Sequence, residues 1–164
     1  MVADDLIDFV FSHEKEIKNA IFEKRLDPGG IGKPAGSASN HSQISDPTAN
    51  KGIKHAVPIP LVLVEYGAKI NGVRESRAIK QPETWLQVVE EVKGYYQGTP
   101  TGEFLRRRYE QKELWNETCK HMVLRNKSYY YTMKQNVIHC AELAAVERGL
   151  LSPFNKGKKE RNTK

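Results

Sequence analysis

The sequence predicts an all-α protein that ends in a three-helix helix-turn-helix. Apolar residues recur at helical spacing in residues 4–26, in 82–97 and again in 129–146. Gly- and Pro-bearing segments separate these stretches. Gly102 to Leu150 divides into three helical pieces, and the last of them is apolar on one side and polar on the other.

Leu6, Phe9, Val10, His13, Ile17, Ala20, Ile21 and Lys24 lie close to an i, i+3, i+4, i+7 stripe, so residues 1–26 are expected to hold one amphipathic helix. Asp4 and Asp5 complement the dipole at its start, and Asp27-Pro28-Gly29-Gly30 stops it. Residues 27–47 carry little apolar surface to offset ordering entropy and read as a flexible loop. Ser45-Asp46-Pro47-Thr48 reads as the entry of a short helix, with Asp46 or Ser45 as cap.

Residues 48–97 are expected to be a helical middle segment. Within it, Val57–Ile70 has the composition of a strand, but nothing else in the chain is read as a partner strand, so a helix from Pro60 to Ile70 is expected, ended by Asn71-Gly72. Pro82 opens a clearer helix with Trp85, Val88, Val89, Val92 and Tyr95 or Tyr96 on one face, closed by Gly98-Thr99-Pro100.

Residues 98–151 form the expected helix-turn-helix unit. Its first helix, Thr101–Gln111, turns Phe104, Leu105 and Tyr109 inward, and Arg106, Arg107 and Arg108 spread around it because successive residues are ~100° apart. The second, from Glu113 to about Val123, is expected to bury Leu114 or Trp115, Cys119 and Met122. Leu124–Lys127 is the turn, and Ser128 caps the third helix. On a helical wheel Tyr130, Met133, Val137, Ala141 and Ala144 face inward. Ser128, Thr132, Gln135, Asn136 and His139 lie on or near the opposite face, and no Glu interrupts 128–139. Short polar groups on such a face suit base edges. Residues 152–164 read as a basic disordered tail.

Charge follows the same division. Residues 1–97 carry 12 Lys+Arg and 13 Asp+Glu, and residues 98–164 carry 14 and 7. The tail contributes more than half of the positive excess of its half, so the helical unit is moderately basic, as a DNA-facing surface requires. The acidic start MVADDLIDF lacks the basic region of a signal peptide, and no window approaches the ~20 apolar residues of a membrane span. Cys119 and Cys140 read as buried thiols of a cytoplasmic protein, with a bacterial host cell as the expected setting.

Other chemistries find little support. Gly29-Gly30-Ile31-Gly32-Lys33 fails the spacing of a phosphate loop, and Pro34 follows the lysine. Cys119, His121, His139 and Cys140 lack the spacing of a zinc site, and His41 and His55 have no paired nucleophile. The expectation is a non-enzyme with no cofactor and no metal. Trp85 and Trp115 read as core anchors.

Arg108-Tyr109 at the end of one helix, Trp115 at the start of the next and Ser128 before the third resemble region 4 of sigma factors. The pattern looks closest to the small phage and prophage late-gene regulators of the RinA/ArpU type, with Asp46-Pro47-Thr48 as a further match. The chain departs from that pattern at Thr118-Cys119 and at Tyr129-Tyr130-Tyr131, and the tyrosines could face core, DNA or a protein partner.

The resemblance and the outward face together predict a sequence-specific DNA-binding transcriptional regulator whose partner is double-stranded DNA. Lys127, Ser128, Tyr129, Thr132 and Gln135 are the expected base contacts. Arg106, Arg107, Arg125 and Lys134 are the expected phosphate contacts. RNA polymerase is a further candidate partner and a homodimer a candidate state, with no membrane association. The alternatives are a module that binds polymerase or a sigma factor through Tyr129–Tyr131, and a small-terminase-like DNA-packaging adaptor.

Overall fold

In the computed structural model, residues 3–26, 57–70, 73–124 and 126–152 are described here. The expected loop, the helix entry at Asp46-Pro47, the phosphate-loop look-alike, His41, His55, Arg125 and nearly all of the basic tail lie outside them. Among the described residues are six α-helices, one π-helical turn and one β-hairpin. They fall into two compact units, one of Met1–Glu14 with Thr84–Lys164 and one of Lys15–Glu83.

The hairpin corrects the all-α expectation. Strand β1, Leu61–Ile70, pairs antiparallel with β2, Val73–Lys80, with Val62 opposite Ile79 and Val64 opposite Arg77. The segment expected to be a helix from Pro60 is therefore a strand. Val62, Val64 and Ile79 are buried on one face, while Leu61, Leu63 and Ala78 on the other are exposed. The partner was hidden because Arg74, Glu75, Arg77 and Lys80 mask its alternation, leaving Ile79 as its one buried side chain. The Asn71-Gly72 dipeptide between the strands is a strong hairpin signal that serves equally well as a helix stop. The register slips between Tyr66 and Ile70, where Gly67 takes φ +76°, a conformation open to glycine. The Gln81 N–H donates to the Pro60 carbonyl at 2.9 Å and closes the other end.

The N-terminal helix is also interrupted. Helices α1 (Ala3–Ser12) and α2 (Glu14–Leu26) part at His13. The His13 ring stacks on Phe9 at 4.2 Å, and its Nδ1 reaches the Phe9 carbonyl at 3.0 Å, the same oxygen that takes the His13 N–H. Side-chain competition for a backbone acceptor is a recognised way to end or bend a helix. In the unit of residues 15–83, α2 buries Ile17 and Ile21, and Glu83 accepts from both Arg25 and the Ile59 N–H.

The other unit is helical. Helix α1 buries Ile7, Phe9, Val10 and Phe11, which cover more than one face. Helix α3, Pro82–Tyr95, buries Trp85, Val88, Val89 and Val92, whereas Tyr95 is exposed. Thr99 caps α4, Pro100–Leu105, by accepting from the Gly102 N–H at 3.1 Å. A π-helical turn, Arg106–Glu110, continues it. Helix α5 is Trp115–His121 and α6 is Lys127–Glu147. Helix α6 packs on α1, α4 and α5. Phe104, Tyr109, Tyr130, Val137, Ile138, Ala141 and Ala145 join this core.

Two glycines of this unit should respond oppositely to alanine. A methyl group on Gly94, in α3, meets open space, so Gly94→Ala should raise stability by about 0.5–1 kcal/mol through helix propensity. On Gly102 the same group would collide with the Tyr96 carbonyl, a backbone atom. Gly102→Ala should therefore cost about 1–3 kcal/mol despite its helical position. Urea unfolding of the two variants checks both signs.

Candidate nucleic-acid interface

The interface candidate is built from α5, the turn after it and the start of α6. Helix α5 begins with the Leu114 N–H held by Glu117 Oε2 at 2.8 Å. It ends in a Schellman pattern, with Val123 N–H donating to Lys120 O at 3.2 Å and Leu124 N–H to Cys119 O at 2.9 Å. That pattern needs a left-handed residue, and Val123 supplies it at φ 53°. Gly149 fills the same place after α6, at φ 70°. A β-branched residue at such a φ is strained, and Val123 is 83% exposed, with no burial to offset the cost.

Asn126 caps α6, its side-chain oxygen accepting from the Tyr129 N–H at 3.2 Å. The expected cap, Ser128, instead lies within the first turn, and its carbonyl accepts from the Thr132 hydroxyl at 3.0 Å. Asn and Ser are near-equal caps, so the sequence alone favours neither. Lys127, Ser128, Tyr129, Thr132 and Gln135 are all exposed along the first half of α6, as are Asn136 and His139. Of the five residues that the wheel turns inward, Tyr130, Val137, Ala141 and Ala144 are buried and Met133 is half-buried. The tyrosine run divides accordingly. Tyr130 is buried edge-on against Phe104 at 5.1 Å, while Tyr129 and Tyr131 are 56% and 46% exposed.

The expected phosphate contacts are placed differently. Arg106 forms two hydrogen bonds with Glu103, at 2.9 and 2.7 Å. Arg107 lies 2.6 Å from Glu103 and donates to Glu113 at 3.1 Å. Arg106 beside Glu103 holds that carboxyl below its ordinary range. Arg108 donates to the Glu113 carbonyl at 3.2 Å, so the arginine run stitches the π-helical turn to the segment before α5. Lys134 pairs with Asp8 at 3.2 Å. Arg125 lies outside the described residues.

Asp8 has a second donor, the Tyr109 hydroxyl at 2.9 Å. One carboxylate thus ties α1, the π-helical turn and α6 together. Burial, and then the Asp8 charge, push the Tyr109 phenol far above its ordinary value.

Two residues read as buried or left open by sequence stand on the surface here. Trp115 is 44% exposed, in contrast to Trp85, and Leu114 is exposed with it; the buried member of α5 is Thr118. Trp115 is the first residue of α5 and precedes the buried Thr118 by one turn. The Lys127 ammonium sits 4.6 Å from the centre of the Trp115 ring and 5.5 Å from that of Tyr131. Aromatic residues next to a lysine at two helix starts were a possible signal for this group. An open depression of about 430 Å³ near Gly98 and Gly102 is lined by Lys93, Glu103, Arg106 and Glu110 among others. Its cations are already paired, Lys93 with Glu14 and Glu110, each at 2.7 Å. Among the described residues no three His, Cys, Asp or Glu side chains could hold a metal ion, and no helix is long and apolar enough to cross a membrane.

Two outcomes follow from this geometry. Val123→Gly should raise stability by about 1 kcal/mol by removing left-handed strain, measurable as a higher melting temperature. Tyr109→Phe should cost about 1–3 kcal/mol at neutral pH through the lost bond to Asp8. Because folding raises the Tyr109 pKa, its contribution is complete below the unfolded value of about 10 and is lost as pH rises beyond it. The stability gap between wild type and Tyr109→Phe should therefore narrow above about pH 10 in alkaline unfolding curves.

Comparison with family models, with curated proteins and with solved structures finds no match to this chain.

Proposed function

We propose that the protein is a sequence-specific DNA-binding regulator of transcription, acting in the bacterial cytoplasm, which presents the first half of α6 to the major groove of double-stranded DNA. The observation that carries this reading is the exposed row Ser128, Thr132, Gln135, Asn136 and His139, with no acidic residue on α6 before Glu142. Short polar side chains on one helix face can reach base edges, and a carboxylate there would repel the phosphates. Lys127 and Lys120 are exposed nearby. The moderate charge of residues 98–151 agrees with a reader that relies on few phosphate contacts. The narrower assignment to phage or prophage late genes rests on the resemblance at Arg108-Tyr109 and Trp115.

A second reading has its own observation. Trp115, Tyr129 and Tyr131 are exposed aromatic side chains on α5 and α6, the composition of a protein-docking surface for RNA polymerase or a sigma factor.

Binding of the purified protein to its own upstream DNA and to random DNA, across a salt series, tests both. Preference for the upstream sequence is expected, and Gln135→Ala should remove about 1–3 kcal/mol from that preference alone. Equal affinity for the two DNAs would overturn the regulator reading. Loss of polymerase binding in Tyr129→Ala, with DNA binding intact in Gln135→Ala, would establish the second.

A further inference from the structure

We infer that Trp115 and Tyr131 are positioning residues that hold the Lys127 ammonium as a fixed phosphate contact at the start of α6, an inference that rests on the DNA-binding reading above. Lys127 is the first residue of α6, Tyr131 lies one turn later, and Trp115 is the first residue of α5. The ammonium is 4.6 Å from one ring centre and 5.5 Å from the other, within the range of cation–π attraction. Both rings are about half exposed, so the ammonium they hold lies at the surface.

The Tyr131 ring is itself braced. Tyr131 meets Tyr130 edge-on at 5.4 Å, and the buried Tyr130 meets Phe104 at 5.1 Å. A line of rings thus runs from the core to the cation.

What holds a cation decides what it can still do. Arg106, Arg107 and Lys134 are held by carboxylates, and each pair presents little net charge to a ligand. Among the described residues no carboxylate pairs with Lys127. An aromatic face restricts a lysine without cancelling its charge, so Lys127 keeps its full positive charge while losing part of the freedom that a phosphate contact would otherwise have to remove. Lys127 accordingly takes a role different from base reading. Its contribution should be the same for any sequence, unlike that of Gln135.

The test compares Trp115→Phe, Trp115→Leu, Tyr131→Leu and Lys127→Ala on the full chain, with the upstream duplex and a random duplex as probes. In the wild type, ring currents should shift the Lys127 side-chain ε protons upfield in NMR spectra. Trp115→Leu should abolish most of that shift, and Trp115→Phe should retain it. Lys127→Ala should lower the salt slope of binding by about one unit on both duplexes. Trp115→Leu should weaken both affinities about three- to fivefold, with Trp115→Phe near wild type and Tyr131→Leu between them. Trp115→Leu should add nothing to the effect of Lys127→Ala in the double variant. An absent ring-current shift overturns the clamp. If the wild type binds the duplexes while Lys127→Ala and Trp115→Leu bind as it does, the inference falls and the DNA reading stands. If the wild type binds neither duplex, both fall.

Discussion

The carboxylate of Asp8 is the point on which the helical unit depends. It accepts from the Tyr109 hydroxyl at 2.9 Å and lies 3.2 Å from the Lys134 ammonium, joining α1, the π-helical turn and α6. Each partner has a reason to stay. Tyr109 is buried and needs an acceptor, and Lys134 needs a counter-charge beside a packed helix face. Around this group the aromatic core closes, with Phe11 on Tyr109 at 5.4 Å and Phe104 on Tyr130 at 5.1 Å. The rotation of α6 about its axis is fixed from this side, which determines the residues it turns outward.

The basic residues divide into two kinds of work. In the run Arg106–Arg108, Arg106 and Arg107 are paired with Glu103 and Glu113, and Arg108 is tied to a backbone carbonyl. Three successive arginines on a widened, π-helical turn cannot share a face, and the nearby acids collect two of them. Lys127 lies farther along the chain between two rings, where the charge is held without being neutralised. Among the described residues of this unit, less positive charge is left unneutralised than the composition suggests, and Lys127 at the start of α6 carries part of it.

Much of the helical unit was legible in the sequence. The stripe of Trp85, Val88, Val89 and Val92, the inward Phe104, Leu105 and Tyr109, and the two faces of α6 follow from a 3.6-residue period and a core on one side. The hairpin was not legible as such, because a two-stranded sheet with one covered face asks little of its second strand, and Ile79 alone met that demand in β2. The division at His13, whose ring reaches back to the Phe9 carbonyl, is a feature that no apolar pattern encodes. At the candidate interface the exposed polar row was readable from the wheel. The partners of Arg106, Arg107 and Lys134 were not, since ion pairing between elements depends on tertiary placement. The exposure of Trp115 was missed because it lies one turn before the buried Thr118 on the same helix face, and spacing alone does not tell which of the two the core covers.

Helix α6 has 21 residues, about 31 Å at 1.5 Å per residue, and one rod serves both the core and the outward face. Its inner side chains cannot loosen without tilting its outer ones. Occupancy of the face and cohesion of the core are therefore linked quantities. A ligand seated on the first turns of α6 adds RT ln(1 + [L]/Kd) to the unfolding free energy of the whole unit. The fold thus reports its own binding as heat resistance, and calorimetric screening of candidate ligands reads the face through the core beneath it.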